Sequence, residues 1–191
     1  MDDAADNSGG RDAAESSDPE PSRRLTLEVV HEAGEWDRFG PVEEAVAAAA
    51  HEIAATPVLD IGLAEACVAL TTDAEIACLN ATYRGKSTPT NVLSFPSGDG
   101  APGGDVRRLG DIVLAAETIA READEQGLPP LHHVQHLVVH GVLHLLGFDH
   151  ETEAEADEME ALEVEILARL GVANPYGDTE ASSRAEAPTS P

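Results

Sequence analysis

HGVLHLLGFDH, residues 140–150, is the stretch of sequence that decides both the fold and the chemistry of this chain. Its leucines are typical of an apolar helix, on which positions four apart share one face, so His140 and His144 point the same way. Gly147 can take the left-handed conformation that ends a helix, after which the chain can turn back and bring His150 to the same point. Three neutral imidazoles that converge leave one coordination position for water, which is the layout of a catalytic zinc site.

The spacing also matches a protease pattern, His-Glu-x-x-His-x-x-Gly-x-x-His, in all but one position. In those proteases the Glu after the first His is the general base, whereas this chain has Gly141 there. A bound metal can still lower the pKa of water without that base. The pattern therefore favours a hydrolase that is not a peptidase of this type. A bare pair of histidines at this spacing would more often be a hydrogen-bonded pair on a half-buried helix, and it is the third histidine that favours a metal.

Two further stretches point to a known family. Residues 79–96 read LNATYRGKSTPTNVLSFP, and residues 109–114 read LGDIVL. Together with residues 140–150 they resemble the YbeY family, bacterial metal-dependent endoribonucleases that act in ribosomal RNA maturation. The resemblance runs from about Leu25 to Leu170. It implies a single-strand-specific endoribonuclease that acts near the 3′ end of small-subunit ribosomal RNA and in ribosome quality control. RNA and small-subunit components are the partners it implies, with no role for DNA.

The resemblance also assigns residues. It implies that His140, His144 and His150 bind one Zn²⁺ per chain, that Arg84 lines the cleft, and that Arg84 and His140 are catalytic. Asn91 receives no chemistry, because some family members carry Asp there. Two rival functions remain open from the residues: a ribosome-assembly factor whose metal only holds the fold, and, less favoured because of Gly141, a metallopeptidase.

Neighbouring polar residues have plainer interpretations. His136 shares the helix face of the three histidines but is expected to be a cleft-wall or hydrogen-bonded histidine, since three ligands already suffice. Asp149 is expected either to orient a histidine or to cap a turn. Ser94, Thr88 and Thr90 are expected in the same groove on the resemblance alone.

Composition sets the domain limits. Residues 1–22 are acidic and poor in large apolar side chains, and residues 174–191 are rich in Ser, Pro, Ala and Thr, so both are expected to be disordered tails around one domain at 23–173. No signal peptide or membrane-length apolar run is visible, and Cys67 and Cys78 are expected to be core thiols, which suggests the cytoplasm.

The charge is unusual for a protein that binds RNA. The chain carries a formal net charge of −26; residues 1–22 account for −6 and residues 174–191 for −2, which leaves −18 on the domain. Phosphate contacts favour basic proteins, so the acidity predicts either adaptation to a high-salt cytoplasm or an ordinary acidic soluble protein.

The remaining pattern predicts an α+β fold, a small mixed sheet with helices packed around it and a zincin-like metal helix. Strands are predicted at 25–30, within 58–71, at 91–95 and at 111–115, and helices at 41–55, 74–83, 117–126, 131–146 and after a capping box at Thr152. In the last helix, Met159, Leu162, Ile166 and Leu170 form an apolar stripe, and the acids are expected on a solvated face.

Overall fold

The computed structural model describes residues 24–98 and 105–177, which form a four-stranded sheet with helices on both faces. The strands are β1 (Arg24–His31), β2 (Leu63–Thr71), β3 (Val92–Pro96) and β4 (Arg107–Ala115). The helices are α1 (Val42–Ala54), α2 (Asp73–Arg84), α3 (Ala116–Gln126), α4 (Pro130–Leu146) and α5 (Glu153–Arg169), with a 3-10 turn at Trp36–Phe39. The α+β prediction with a small mixed sheet is confirmed.

The sheet has the order β1-β2-β4-β3. β2 runs parallel to both β1 and β4, whereas β3 runs antiparallel to β4 at the other edge. β4 is an inner strand, as its apolar sequence predicts, but it begins four residues before the predicted start at Asp111 because Arg107 and Arg108 also pair with β2. The stretch 58–71 holds one strand, and the 3-10 turn was not predicted.

Two hydrophobic clusters lie on opposite faces of the sheet, because successive strand residues point to opposite sides. Ile112 and Leu114 of β4 belong to the large cluster, which packs against α1, α4 and α5. Val113 belongs to a smaller cluster with Ile76 of α2 and Leu93 of β3. α4 therefore lies against the antiparallel pair β3–β4, and this packing places its histidines beside β3.

Candidate metal centre and cleft

The three histidines of residues 140–150 come together as the sequence predicts. His140 and His144 lie one turn apart on α4, which ends at Gly147 with a φ of 97° in the left-handed region. The amide groups of Gly147 and Phe148 donate to the carbonyls of His144 and Leu143, at 3.0 and 3.1 Å, and this closes the end of the helix. The chain then turns, and one ring nitrogen from each of the three histidines lies within 4.8 Å of the others.

Hydrogen bonds fix which nitrogen of each helical histidine is free. The Nδ1 atom of His144 lies 3.0 Å from the carbonyl of Phe148, and that of His140 lies 2.7 Å from a carboxylate oxygen of Glu163. Both partners only accept, so each Nδ1 carries the proton and each Nε2 presents a lone pair. The two Nε2 atoms face each other at 3.1 Å.

Such a pair of facing lone pairs fits a shared cation. An ion bound tetrahedrally at ~2.0–2.1 Å from each nitrogen separates the nitrogens by ~3.3 Å, close to the distance between His140 and His144. Burial, and then the neighbouring His140, lower the pKa of His144 below 6.5, so its ring is neutral near pH 7 and able to bind a metal. These residues could therefore hold a metal ion, with exposed His150 at the solvent side.

Glu163 is the functional residue that the sequence interpretation missed. The acids of the last helix were expected on a solvated face opposite its apolar stripe, but the side chain of Glu163 is 0% exposed. Burial alone raises the pKa of this carboxyl, but hydrogen bonds with His136 and His140 outweigh it and bring the pKa to about 2. The sequence did indicate that Glu163 is buried, since this residue lies four positions after Met159 and therefore within the apolar stripe.

The buried carboxylate of Glu163 has two further partners. His136 lies 3.2 Å from its second oxygen, so His136 is a hydrogen-bonded, half-buried histidine, one of the two roles expected for it. Tyr176 donates its hydroxyl to the same oxygen. Burial, and then the hydrogen bond to Glu163, raise the pKa of Tyr176, which keeps this hydroxyl protonated. The contact lies beyond Ala173, the expected end of the domain, so packed structure continues past that boundary.

The carboxylate of Asp149 makes its hydrogen bond within the turn and not with a histidine ring. One of its carboxylate oxygens accepts from the backbone N–H of His150 at 2.8 Å. The orienting hydrogen bonds to His140 and His144 come instead from Glu163 and from a backbone carbonyl. Of the two roles expected for Asp149, the structure shows the turn.

Gly141 has a packing reason to lack a side chain. A Cβ built there would lie 3.0 Å from two carbon atoms of Ile112, a fully buried side chain of β4. The position therefore faces the sheet and not the cleft. A carboxylate at residue 141 would point into the core, so the helix could not present a general base from this position.

The three histidines line a cleft of about 440 Å³ between α4 and β3. Arg84, the last residue of α2, lines the same cleft; it is exposed and has no ion-pair partner among residues 24–98 and 105–177. Asp149 is the one carboxylate among the described residues that line it, so the cleft is far less acidic than the chain as a whole. Thr90, Asn91 and Ser94 also line it, whereas Thr88 does not.

No helix in the described part of the chain is long and apolar enough to cross a membrane. Cys67 and Cys78 are both free thiols. Cys67 is half-buried and Cys78 is exposed, so neither is the fully buried core thiol that was expected.

Comparison with known proteins agrees with the resemblance read from the motifs. The family model described as Endoribonuclease YbeY matches residues 39–171. A protein named Endoribonuclease YbeY from Rhodopseudomonas palustris is 51% identical over 161 residues, covering 81% of this chain and 83% of the relative. One of the same name from Parvibaculum lavamentivorans is 49% identical over 181 residues, covering 85% of this chain and 96% of the relative. The solution structure of TM1509 from Thermotoga maritima is similar with a TM-score of 0.48 and 20% identity, over 87% of this chain and 99% of that one. By its sequence matches, this chain belongs to the YbeY family.

Proposed function

We propose that this protein is a zinc-dependent endoribonuclease that cleaves single-stranded RNA during ribosomal RNA maturation. The observation that carries the proposal is the cleft, which is lined both by three histidines able to hold a metal and by Arg84, a cation with no ion-pair partner in the described part of the chain. The name of the relatives, Endoribonuclease YbeY, supplies the class of reaction. Within that class we place its action near the 3′ end of small-subunit ribosomal RNA and in ribosome quality control.

Zinc is the metal that the donor set favours. Three imidazoles with a fourth position open to solvent are typical of catalytic zinc, and one ion per chain would be held by His140, His144 and His150. When bound, the ion supplies Lewis-acid polarisation of a phosphoryl oxygen or a water of lowered pKa. Glu163 keeps the proton of His140 on Nδ1, which leaves Nε2 free to coordinate.

Arg84 and His140 are the catalytic residues in this proposal. The guanidinium of Arg84 offers two parallel donors to a phosphate and neutralises negative charge on the phosphoryl oxygens in the transition state. His140 acts as a ligand, held by Glu163. Gly141 provides no base, so the attacking oxygen, that of a water or of the RNA's own 2′-hydroxyl, would lose its proton to solvent, with its pKa lowered by the ion that the three histidines would hold.

The partners follow from the substrate. Single-stranded RNA and components of the small ribosomal subunit are the proposed partners, without DNA or a membrane. We place the protein in the cytoplasm, where bacterial ribosomes are assembled and where free thiols such as those of Cys67 and Cys78 persist.

A substrate panel tests the proposal. Zinc-loaded protein is incubated with labelled single-stranded RNA, duplex RNA, single-stranded DNA and casein, beside His144→Ala, Arg84→Ala and Arg84→Lys. We expect cleavage of single-stranded RNA alone, loss with His144→Ala, and a fall of ~10²-fold or more with Arg84→Ala. Lysine should rescue only partly because it lacks the planar fork. Arg38→Ala is the matched control, since Arg38 is exposed and outside the cleft.

Each rival function gives a different result in the same panel. RNA that stays intact with zinc-loaded protein, while His144→Ala lowers the melting temperature, would indicate a metal that only holds the fold. Cleavage of casein would indicate a peptidase. Neither rival is favoured, because the relatives are named for an endoribonuclease and residue 141 faces the core.

A further inference from the structure

A chain of hydrogen bonds that the proposed mechanism does not use ends at Asn91, in the wall of the cleft. The amide nitrogen of Asn91 donates to a carboxylate oxygen of Glu122 at 2.9 Å, and its amide oxygen accepts from the backbone N–H of Val92 at 2.7 Å. The two contacts agree on the orientation of the amide, since a carboxylate only accepts and a backbone N–H only donates. Asn91 is therefore held in one orientation.

Glu122 is itself held from the other side by a buried histidine. The Nε2 atom of His133, on α4, lies 2.8 Å from the same oxygen of Glu122 that Asn91 contacts. His133 is 4% exposed, and its Nδ1 atom is buried without a partner among the described residues. The proton therefore lies on Nε2, because only that atom has an acceptor. One oxygen of Glu122 thus accepts two hydrogen bonds, from α4 and from the residue before β3.

The arrangement leaves one donor free in the cleft. A side-chain amide has two N–H groups, and the second one of Asn91 has no acceptor among the described residues. Asn91 is half-buried and lines the cleft together with Arg84, His140 and His144. The amide is therefore a fixed, neutral donor beside the proposed reaction centre.

We propose that Asn91 contacts the substrate, donating its free N–H to a phosphate oxygen of the RNA strand, and that Glu122 and His133 are positioning residues that hold the amide. This inference rests on the proposed function, since it requires RNA in the cleft. A backbone contact is favoured over a base contact because the amide oxygen of Asn91 is already engaged by Val92. Reading an adenine needs both the oxygen and the nitrogen of an Asn, and only the nitrogen is available here.

Binding of fluorescein-labelled single-stranded RNA to zinc-loaded protein tests the inference. Stopped-flow anisotropy measures this binding before the RNA is cleaved. Asn91→Ala should weaken binding ~2–10-fold, the effect of one hydrogen bond, and by the same factor for RNAs of different sequence. RNA binding by Asn91→Ala should depend on salt as it does for the parent. Arg84→Ala, in contrast, should reduce the salt slope by about one charge.

Three further variants test Glu122 as a positioning residue, guard against misfolding and provide a control. Glu122→Gln should weaken binding by a smaller factor in the same direction, because a neutral oxygen holds the amide less firmly. Asn91→Ser keeps an oxygen for the Val92 N–H while losing the amide, so it should weaken RNA binding as Asn91→Ala does. It replaces Asn91→Ala if that variant folds poorly. Gln126→Ala removes an exposed amide from the same helix as Glu122, outside the cleft, and should bind like the parent.

The outcomes separate the inference from the proposed function. If the parent binds RNA and both Asn91→Ala and Asn91→Ser bind it equally well, Asn91 does not contact the substrate. A loss confined to one RNA sequence would show a base contact and overturn the backbone assignment. Unchanged binding by Glu122→Gln would overturn the positioning role. A parent that neither binds nor cleaves RNA would overturn the proposed function and this inference together.

Discussion

Glu163 lies 2.7 Å from the Nδ1 atom of His140, although the two residues are 23 positions apart and belong to different helices. The contact joins α5 to α4 at a point where the carboxylate is completely shielded from solvent and the His140 ring is half-buried. An ionised carboxylate in this place holds the proton on Nδ1 and fixes the direction of the lone pair on the ring nitrogen at the cleft side. The proposed metal site therefore depends on a helix that contributes none of its ligands.

The first prediction concerns this carboxylate. Glu163→Gln should lower zinc affinity ~10–100-fold, because His140 loses a charged acceptor that holds its tautomer and orientation. Competition with a chelating dye measures the affinity, and circular dichroism monitors folding. Glu165→Gln is the matched control, since Glu165 is exposed on the same helix. Equal zinc affinity for parent and Glu163→Gln would show that Glu163 only fills space.

Local patterns in the sequence predicted that the three histidines converge, because their placement depends on residues close to one another in the chain. Helical periodicity puts His140 and His144 on one face, and a left-handed Gly147 is a property of one residue. The strands and helices were predicted for the same reason, since hydrophobic period and capping residues act over a few positions.

The partners of the histidines were not predicted, because they depend on contacts between distant elements. Glu163 was assigned to the surface as one of many acids, although its place in the apolar stripe was visible. Asn91, Glu122 and His133 are separated by 31 and 11 positions, and nothing local marks them as partners. Tyr176 lies in a polar stretch whose composition is typical of a tail.

The second prediction concerns the packing of Gly141 against the sheet. Gly141→Ala should lower the free energy of unfolding by ~1–3 kcal/mol, because the new methyl group would lie 3.0 Å from two carbon atoms of Ile112, which is fully buried. The gain in helix propensity, ~1 kcal/mol, offsets only part of this. Urea denaturation measures the change. The double variant Gly141→Ala with Ile112→Val should recover stability, and a single variant as stable as the parent would contradict the close packing.

The third prediction concerns stability below neutral pH. Burial lowers the pKa of His133 below 6.5, and its hydrogen bond to Glu122 opposes the shift only in part. The unfolded chain therefore binds this proton more readily, so the contribution of His133 to stability is present above pH ~6.5 and is lost as the pH falls through the lower, folded pKa.

His133→Gln tests this, because Gln can still donate to Glu122 but cannot take up a proton. Melting temperatures between pH 7.5 and pH 5 should fall less steeply for this variant than for the parent. His51→Gln, at an exposed position of α1, is the control and should follow the parent. Parallel curves for parent and His133→Gln would rule out His133 as a source of the pH dependence.

The fourth prediction revises the C-terminal limit of the domain. Removal of residues 178–191 should leave melting unchanged, as the composition of this stretch predicts, whereas removal of residues 174–191 should destabilise the protein because it deletes Tyr176. Tyr176→Phe isolates the hydroxyl and should cost ~1.5–3 kcal/mol, the range for a hydrogen bond to a charged group. Chemical denaturation of the three proteins measures this. Identical stability for both truncations would mean that the contact with Glu163 contributes nothing.

The fifth prediction concerns salt. Residues 23–173 carry −18, and charges of one sign on a compact surface repel one another, so screening should stabilise the fold. The melting temperature should rise from low to molar KCl, as expected of a protein adapted to a high-salt cytoplasm.

RNA affinity should fall over the same range, because the release of counterions from RNA drives binding less when salt is abundant. The two trends have opposite signs, so one titration separates self-repulsion of the acidic surface from attraction between the cleft and RNA. A melting temperature that stays flat would remove the argument for salt adaptation and leave an ordinary acidic protein, while an RNA affinity that stays flat would mean that Arg84 makes no ionic contact with phosphate.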